Sequence, residues 1–224
     1  PSLFKHLPVE PQSALCQSAY VVLCNAHDTA SSFLDAFGKV RADRNAKGMP
    51  TDEEQDLLRA MLLFASAGLD SLAKQLIRDA LPTVLELNEP AAKMFKTFVE
   101  RRLKVGDEID HRLLADVIGD RQPRVRLVSL LVDDLTSRSL QSTEELLKAG
   151  AAFDIPSNEI TSDARRLTEV FRARNQIAHE MDVDFTRPNR SRRPRARAVM
   201  VGYTNEIFRV AKTFMVGVDS RIPN

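Results

Sequence analysis

The sequence is poor in the features that usually assign a protein quickly. Its 224 residues include two cysteines, eight glycines and no tryptophan. Cys16 and Cys24 stand eight apart in one predicted helix. That is about 12 Å along the axis at 1.5 Å per residue, beyond disulfide reach, so both are expected to be core thiols. No apolar run approaches the roughly 18 residues of a membrane span, and the first residues lack a charged start followed by an apolar signal core. A cytoplasmic protein with no membrane partner is the default expectation. There is no H-E-x-x-H string and no paired-cysteine motif, so no zinc signature is present, and no internal repeat is visible.

Net charge is also nearly missing, at a formal +1, but the total conceals an asymmetry. Six of the 32 Lys and Arg residues are arginines between Arg187 and Arg197, a window without an acid, which leaves 26 basic against 31 acidic residues elsewhere. Positive charge so localised suits contact with a polyanion better than a uniformly basic surface would. Aromatic side chains that could stack on bases are sparse there, with only Phe185 and Tyr203 flanking the window. Backbone capture of RNA by Arg190, Arg192, Arg193 and Arg195 is therefore expected rather than base reading; the opposing expectation is a solvated connector. If the loop is only that, Arg165, Arg166 and Arg172 are the next cations to consider.

What the chain does have is helical periodicity. A length of 224 residues can bury a sizeable core, and we read 1–224 as a single all-α domain. A first helix is expected from Pro11 to about Arg44, with Leu15, Ala19, Leu23, Ala26, Ala30, Phe33 and Phe37 in its apolar stripe. His27 lies beside that stripe and reads as a hydrogen-bonded or solvent-edge side chain rather than a ligand. After a polar loop to Pro50, Thr51-Asp-Glu-Glu54 is a capping box opening a helix to about Leu81, before Pro82. Further helices are expected from Asn88, over Arg112–Ile118, over Pro123–Ser137, and from the Ser142-Thr-Glu-Glu145 box to Gly150.

The next run, Asn158 to Met181, reads as one long helix with Leu167, Val170, Phe171, Ile177, Ala178 and Met181 on its buried side. Ser157 or Ser162 is its expected cap. Alternating Met181, Val183 and Phe185 then suggest a short extended segment. The Arg-rich loop 187–197 follows, and a last helix is expected from Thr204 to about Val218.

Arg174 lies on the buried side of that long helix, where an unpartnered guanidinium would cost several kcal/mol. It must face a carboxylate, a water-filled cleft or an anionic ligand, and Asp70 on the second long helix is a candidate partner. Asn175 and His179 are four apart and share a flank. Arg174 and His179 are five apart, about 140° around an ideal helix, so one site can hold both only if the helix distorts or Arg174 reaches round.

Four readings are open for this cluster. His179 can act as general base or acid on an RNA 2′-hydroxyl while Arg174 neutralises charge on the phosphorane. His179, Glu180, Asp182 and Asp184 can be metal ligands, although alternate residues of an extended segment diverge. The fold can bind RNA or protein without cutting anything. Arg174 can pair with a core acid while His179 caps the helix as a cation.

Arg174-Asn-Gln-Ile-Ala-His179 resembles the R-x4-6-H motif of HEPN domains, including the polar residue directly after the arginine. Leu69-Asp-Ser-Leu-Ala-Lys-Gln-Leu-Ile-Arg-Asp-Ala-Leu81 looks like an earlier helix of that superfamily. Ala178-His-Glu-Met-Asp-Val-Asp-Phe-Thr186 is similar to its ribonuclease L-related branch. The resemblance implies a HEPN-like helical bundle, here with additional helices and an Arg-rich loop before the last one. It implies a metal- and cofactor-independent endoribonuclease with Arg174, His179 and Asn175 catalytic and Asp70 and Glu180 in support. It also implies a homodimer with both motifs on one cleft, in a toxin–antitoxin or antiviral setting where an antitoxin or other regulatory protein is a possible partner. Some toxins of the superfamily carry a modifiable tyrosine two residues after the histidine, but Met181 stands there, so control by that route is not expected.

Overall fold

The computed structural model describes residues 4–45, 47–106 and 108–223. Ten α-helices and one small hairpin make up its regular structure, so the chain is all-helical at the level of fold class. The helices are α1 (Gln17–Asp43), α2 (Asp52–Asp79), α3 (Leu81–Leu87), α4 (Glu89–Arg102), α5 (His111–Ile118), α6 (Pro123–Thr136), α7 (Thr143–Ala152), α8 (Ser157–Ile160), α9 (Ala164–Glu180) and α10 (Arg197–Asp219). The hairpin pairs β1 (Lys104–Val105) with β2 (Glu108–Ile109) around Gly106, whose φ of 64° favours glycine.

The bundle is organised around α2, which packs along α1, lies against α10, and touches α3, α6, α7 and α9. Its start is fixed as the sequence predicts. The Thr51 hydroxyl accepts from the Glu54 N–H and the Glu54 carboxylate accepts from the Thr51 N–H. Arg41 and Arg44 at the end of α1 also grip Glu54, at 3.0 and 2.8 Å, which pins the two long helices at one end. Leu58, Met61, Leu62, Ala65, Leu69, Leu72 and Leu76 are buried along its core face. Gly68 sits where any Cβ would collide with the Ala26 Cβ, so the absence of a side chain lets α1 and α2 cross closely. By length and composition α2 would be able to span a bilayer, but over half of its most apolar stretch is buried inside the bundle.

Several expected boundaries move. The first helix begins as a 3-10 turn, Ala14–Cys16, because the Ser13 hydroxyl accepts from the Leu15 N–H, and α1 proper starts at Gln17. The second stops at Asp79, and Pro82, harmless in a first turn, allows the additional helix α3. Gly150 does not end α7, which continues to Ala152; a side chain there would strike Ile160, so this glycine serves packing. The expected single helix from 158 to 181 is two. Residues 161–163 break it, and Asp163, rather than Ser157 or Ser162, caps α9 by accepting from the Arg166 N–H. The final helix starts at Arg197 instead of Thr204, so it follows the Arg-rich loop directly and residues 197–203 are helical.

Cys16 is buried and Cys24 half-buried, and neither is bonded to the other. Burial and the neighbouring Asp219 carboxylate push the Cys16 thiol up to about 12, so it is an inert core group. His27 is not at a solvent edge: its ring is buried against Phe4 and Phe208 at 5.6 and 5.2 Å, and its Nε2 has no hydrogen-bond partner among the described residues.

Candidate functional site at the end of α9

Helix α9 ends because Met181 and Asp182 both adopt left-handed backbone, at φ of 51° and 60°. Non-glycine residues enter that region at a cost, which local contacts must offset. The Met181 and Asp182 N–H groups both donate to the Gln176 carbonyl, the second at 2.9 Å, and the Asp182 side chain turns fully inward. The expected extended run is thus a tight reversal. Val183 afterwards pairs through a single bridge with Arg192, which closes the Arg-rich segment as a hairpin-like loop.

Asp182 is the centre of that closure. Its carboxylate accepts from Arg59 Nε at 2.8 Å, from Arg195 Nε at 2.9 Å and from Arg195 Nη2 at 2.6 Å, all with the acid at zero exposure. Arg59 extends the network to Asp56 at 3.0 Å and to the Arg193 carbonyl at 3.0 Å, while Arg195 also donates to Gln176 at 3.0 Å. Arg192 meets the same Asp56 at 2.6 Å; this hydrogen bond, aided by Arg59 against the opposing effect of burial, holds Asp56 below the usual carboxylate range. Arg193 pairs with Glu180 at 3.0 Å and lies 4.0 Å from Asp184.

Three of the four arginines expected to meet RNA are therefore neutralised within the protein. Arg190 alone of the four is exposed without an ion pair among the described residues. Glu180, expected to support the catalytic pair, is held by Arg193 instead. The four-residue metal reading also meets a geometric obstacle, since Asp182 faces the core and Glu180 and Asp184 face Arg193. Among the described residues no three potential ligands form a metal-binding group.

The clamp holds the last turn of α9 against α2, and on that turn the motif comes together. Arg174 Nη1 lies 3.0 Å from Asn175 Oδ1 and 3.3 Å from His179 Nε2. Its long stem covers the angular gap that five residues leave on a helix. A guanidinium only donates, so the contact is favourable when Nε2 offers a lone pair, which requires neutral His179 with its proton on Nδ1. That geometry works against a cationic histidine capping the helix. Arg174 is half-buried, and burial lowers its pKa while the charge of Asp70 opposes that fall. Asp70 is no direct partner, because it binds Lys74 at 3.0 Å and the Leu140 N–H at 2.6 Å. Among the described residues Arg174 has no carboxylate contact, its Nε is buried without a partner, and its Nη2 makes no hydrogen bond.

Beside this cluster opens a cleft of about 810 Å³ between the start of α7 and the flank of α9. Asn175 lines it together with Thr143, Thr168, Arg172 and Gln176. Arg172 is exposed and carries no ion pair among the described residues, whereas Arg166 pairs with Glu169 at 2.8 Å and stacks on Tyr203 at 4.6 Å. Of the clamp residues, Arg59 was not singled out in the sequence, and Asp182 was considered there only as a metal ligand. Arg59 carried a readable signal, since it falls beside Leu58 and Leu62 on the apolar side of α2 and so demands an acid, as Arg174 does. For Asp182 the sequence carried no signal of a buried ion pair, because Met181, Asp182 and Val183 alternate as an extended segment would.

No protein-family model matches the chain, and no curated protein or solved structure matches it significantly.

Proposed function

We propose that the chain is a metal-independent endoribonuclease of the HEPN type. The observation that carries this reading is the Arg174–His179 contact, with no acid on the arginine among the described residues and with its partner Asn175 lining the neighbouring cleft. A neutral imidazole beside an unneutralised guanidinium is the pair that cyclising phosphodiester cleavage needs. His179 removes the proton of an RNA 2′-hydroxyl as that oxygen bonds to phosphorus. The bond to the 5′-oxygen breaks, leaving a 2′,3′-cyclic phosphate and a 5′-hydroxyl that takes its proton from water or a second histidine. Arg174 offers its free Nη2 to the phosphorane oxygens, as the planar fork of arginine suits. Asn175 orients Arg174 through its amide oxygen, and Arg172 with Arg190 replaces the loop arginines as cations open to the strand.

One arginine and one histidine make a sparse site, and in this reading a two-fold homodimer brings two copies together. An Arg174→Ala protomer mixed with a His179→Ala protomer then regains activity. A fully active monomer would rule the dimer out.

A second reading is favoured by the acid-locked loop. With Arg192, Arg193 and Arg195 neutralised, the surface offers fewer cations to RNA than the sequence suggested, as a silent module binding RNA or a protein partner would. Incubation with mixed RNA in EDTA separates the two. The nuclease reading predicts fragments with 2′,3′-cyclic ends, lost in Arg174→Ala and His179→Ala. Intact RNA, or cleavage that returns only with Mg²⁺ or Mn²⁺, would reject it.

A further inference from the structure

A second cavity, of about 470 Å³, lies between the segment preceding α1, helix α8 and the outer face of α10. It shares no lining residue with the cleft beside Arg174. Three nitrogen-bearing side chains converge there: His6 from the N-terminal segment, and Arg209 and Lys212 from α10. Arg209 is fixed rather than free. Glu206 holds it bidentately at 3.0 and 2.6 Å, and it also donates to the Ile160 carbonyl at 3.4 Å and to Thr161 at 3.2 Å. Lys212 is half-buried and has no acid partner among the described residues. Glu159, the acid of the lining, lies 3.5 Å from Arg221. The Thr213 and Ser220 hydroxyls also line it, but they donate to the Arg209 and Gly217 carbonyls at 2.8 and 3.0 Å, which leaves the recognition of an anion to the nitrogen groups.

We propose that this cavity binds a small dianionic phosphate monoester, with Lys212 and a protonated His6 on its oxygens and the Glu206-paired Arg209 as a fixed part of its wall. A half-buried lysine lining a cavity, without an acid partner among the described residues, is the chemistry that recruits an anion, and the volume suits a ligand of modest size. The histidine agrees with the geometry. Burial lowers its pKa first, and the charges of Arg209, Lys212 and Lys5 lower it further against the opposing effect of Glu206. A bound dianion reverses that balance and favours the imidazolium. For an anion that stays dianionic, binding is consequently tighter at low pH, with His6 the titrating group among Arg209, Lys212, Lys5, Glu206 and Glu159; a phosphate monoester, whose second pKa is about 6, opposes this by taking up a proton itself. A dianion is preferred to the single charge of a backbone diester because two cationic groups approach one ligand.

The test follows the His6 imidazole by NMR while sulfate is added, since sulfate stays dianionic wherever histidine titrates. The expected result is a saturable His6 shift, with affinity about tenfold tighter near pH 5.5 than near pH 7.5, and weakened at least about tenfold in Lys212→Ala but kept in Lys212→Arg. A nucleoside 5′-monophosphate should reproduce the shift, and a short RNA without terminal phosphate should not. The proposal is overturned by an unsaturable His6 response in the wild type, by binding undiminished in Lys212→Ala, or by a shift from the unphosphorylated RNA. None of these outcomes depends on RNA cleavage.

Discussion

Two arginines of this protein face the same difficulty and meet it in opposite ways. Arg59 and Arg174 both sit on largely apolar helix faces, where a lone guanidinium is costly. Arg59 is 2% exposed and its donors meet Asp182, Asp56 and backbone carbonyls. Arg174 meets a neutral amide and an imidazole, and among the described residues its Nε and Nη2 have no hydrogen-bond partner. The saturated arginine holds elements together, whereas the unsaturated one retains charge that a phosphate can use. Density of arginine in the sequence points the wrong way, because the richest window supplies mostly the saturated kind.

The contrast is broken most severely at Asp182. Replacing it with Asn removes the buried charge between Arg59 and Arg195, and unfolding free energy in urea should fall by about 3–5 kcal/mol, the cost of leaving buried cations unpaired. Arg174→Ala should instead leave the urea midpoint close to that of the wild type while reducing the proposed cleavage rate at least about 100-fold, measured in single turnover. A smaller effect belongs to the α2 cap, where Thr51→Ala should cost about 1 kcal/mol in the same urea experiment.

Acid should act through the same network. Asp56 is held below its usual range by Arg192, first of all, and by Arg59. For Glu54, burial pushes upward, but the Thr51 N–H together with Arg44 and Arg41 more than offsets it. A carboxylate depressed on folding contributes stability that is present above its unfolded value and is lost as pH falls through the folded one. Thermal unfolding followed by circular dichroism should thus weaken below about pH 4, with less pH dependence in Asp56→Asn. At the low end of the scale, Arg190→Ala should change stability by no more than about 0.5 kcal/mol, as expected for an exposed side chain without an ion pair among the described residues.

Much of the fold was readable, and for identifiable reasons. The core face of α2 and the Thr51 box are local patterns, and local patterns decide helix existence. The break at residues 161–163 was not, since the apolar spacing runs on across it and the continuity ends through local hydrogen bonds, the Thr161 hydroxyl accepting from the Asp163 N–H and the Asp163 carboxylate from the Arg166 N–H. Of the candidate site, Arg174, Asn175 and His179 were legible from spacing because they lie on one helix. Their separation from Asp70, and the capture of the loop arginines by Asp56, Asp182 and Glu180, depend on contacts between residues far apart in the chain. Spacing along one segment cannot encode those.

The account rests on the claim that Arg174 is left unpaired because it acts on substrate. Its most direct test measures single-turnover cleavage of a defined RNA in EDTA and the urea midpoint on the same preparations of wild type, Arg174→Ala and Asp182→Asn. The account predicts that Arg174→Ala loses the rate and keeps the midpoint, while Asp182→Asn loses the midpoint. An Arg174→Ala protein that cleaves at the wild-type rate, or whose midpoint falls as far as that of Asp182→Asn, would contradict it.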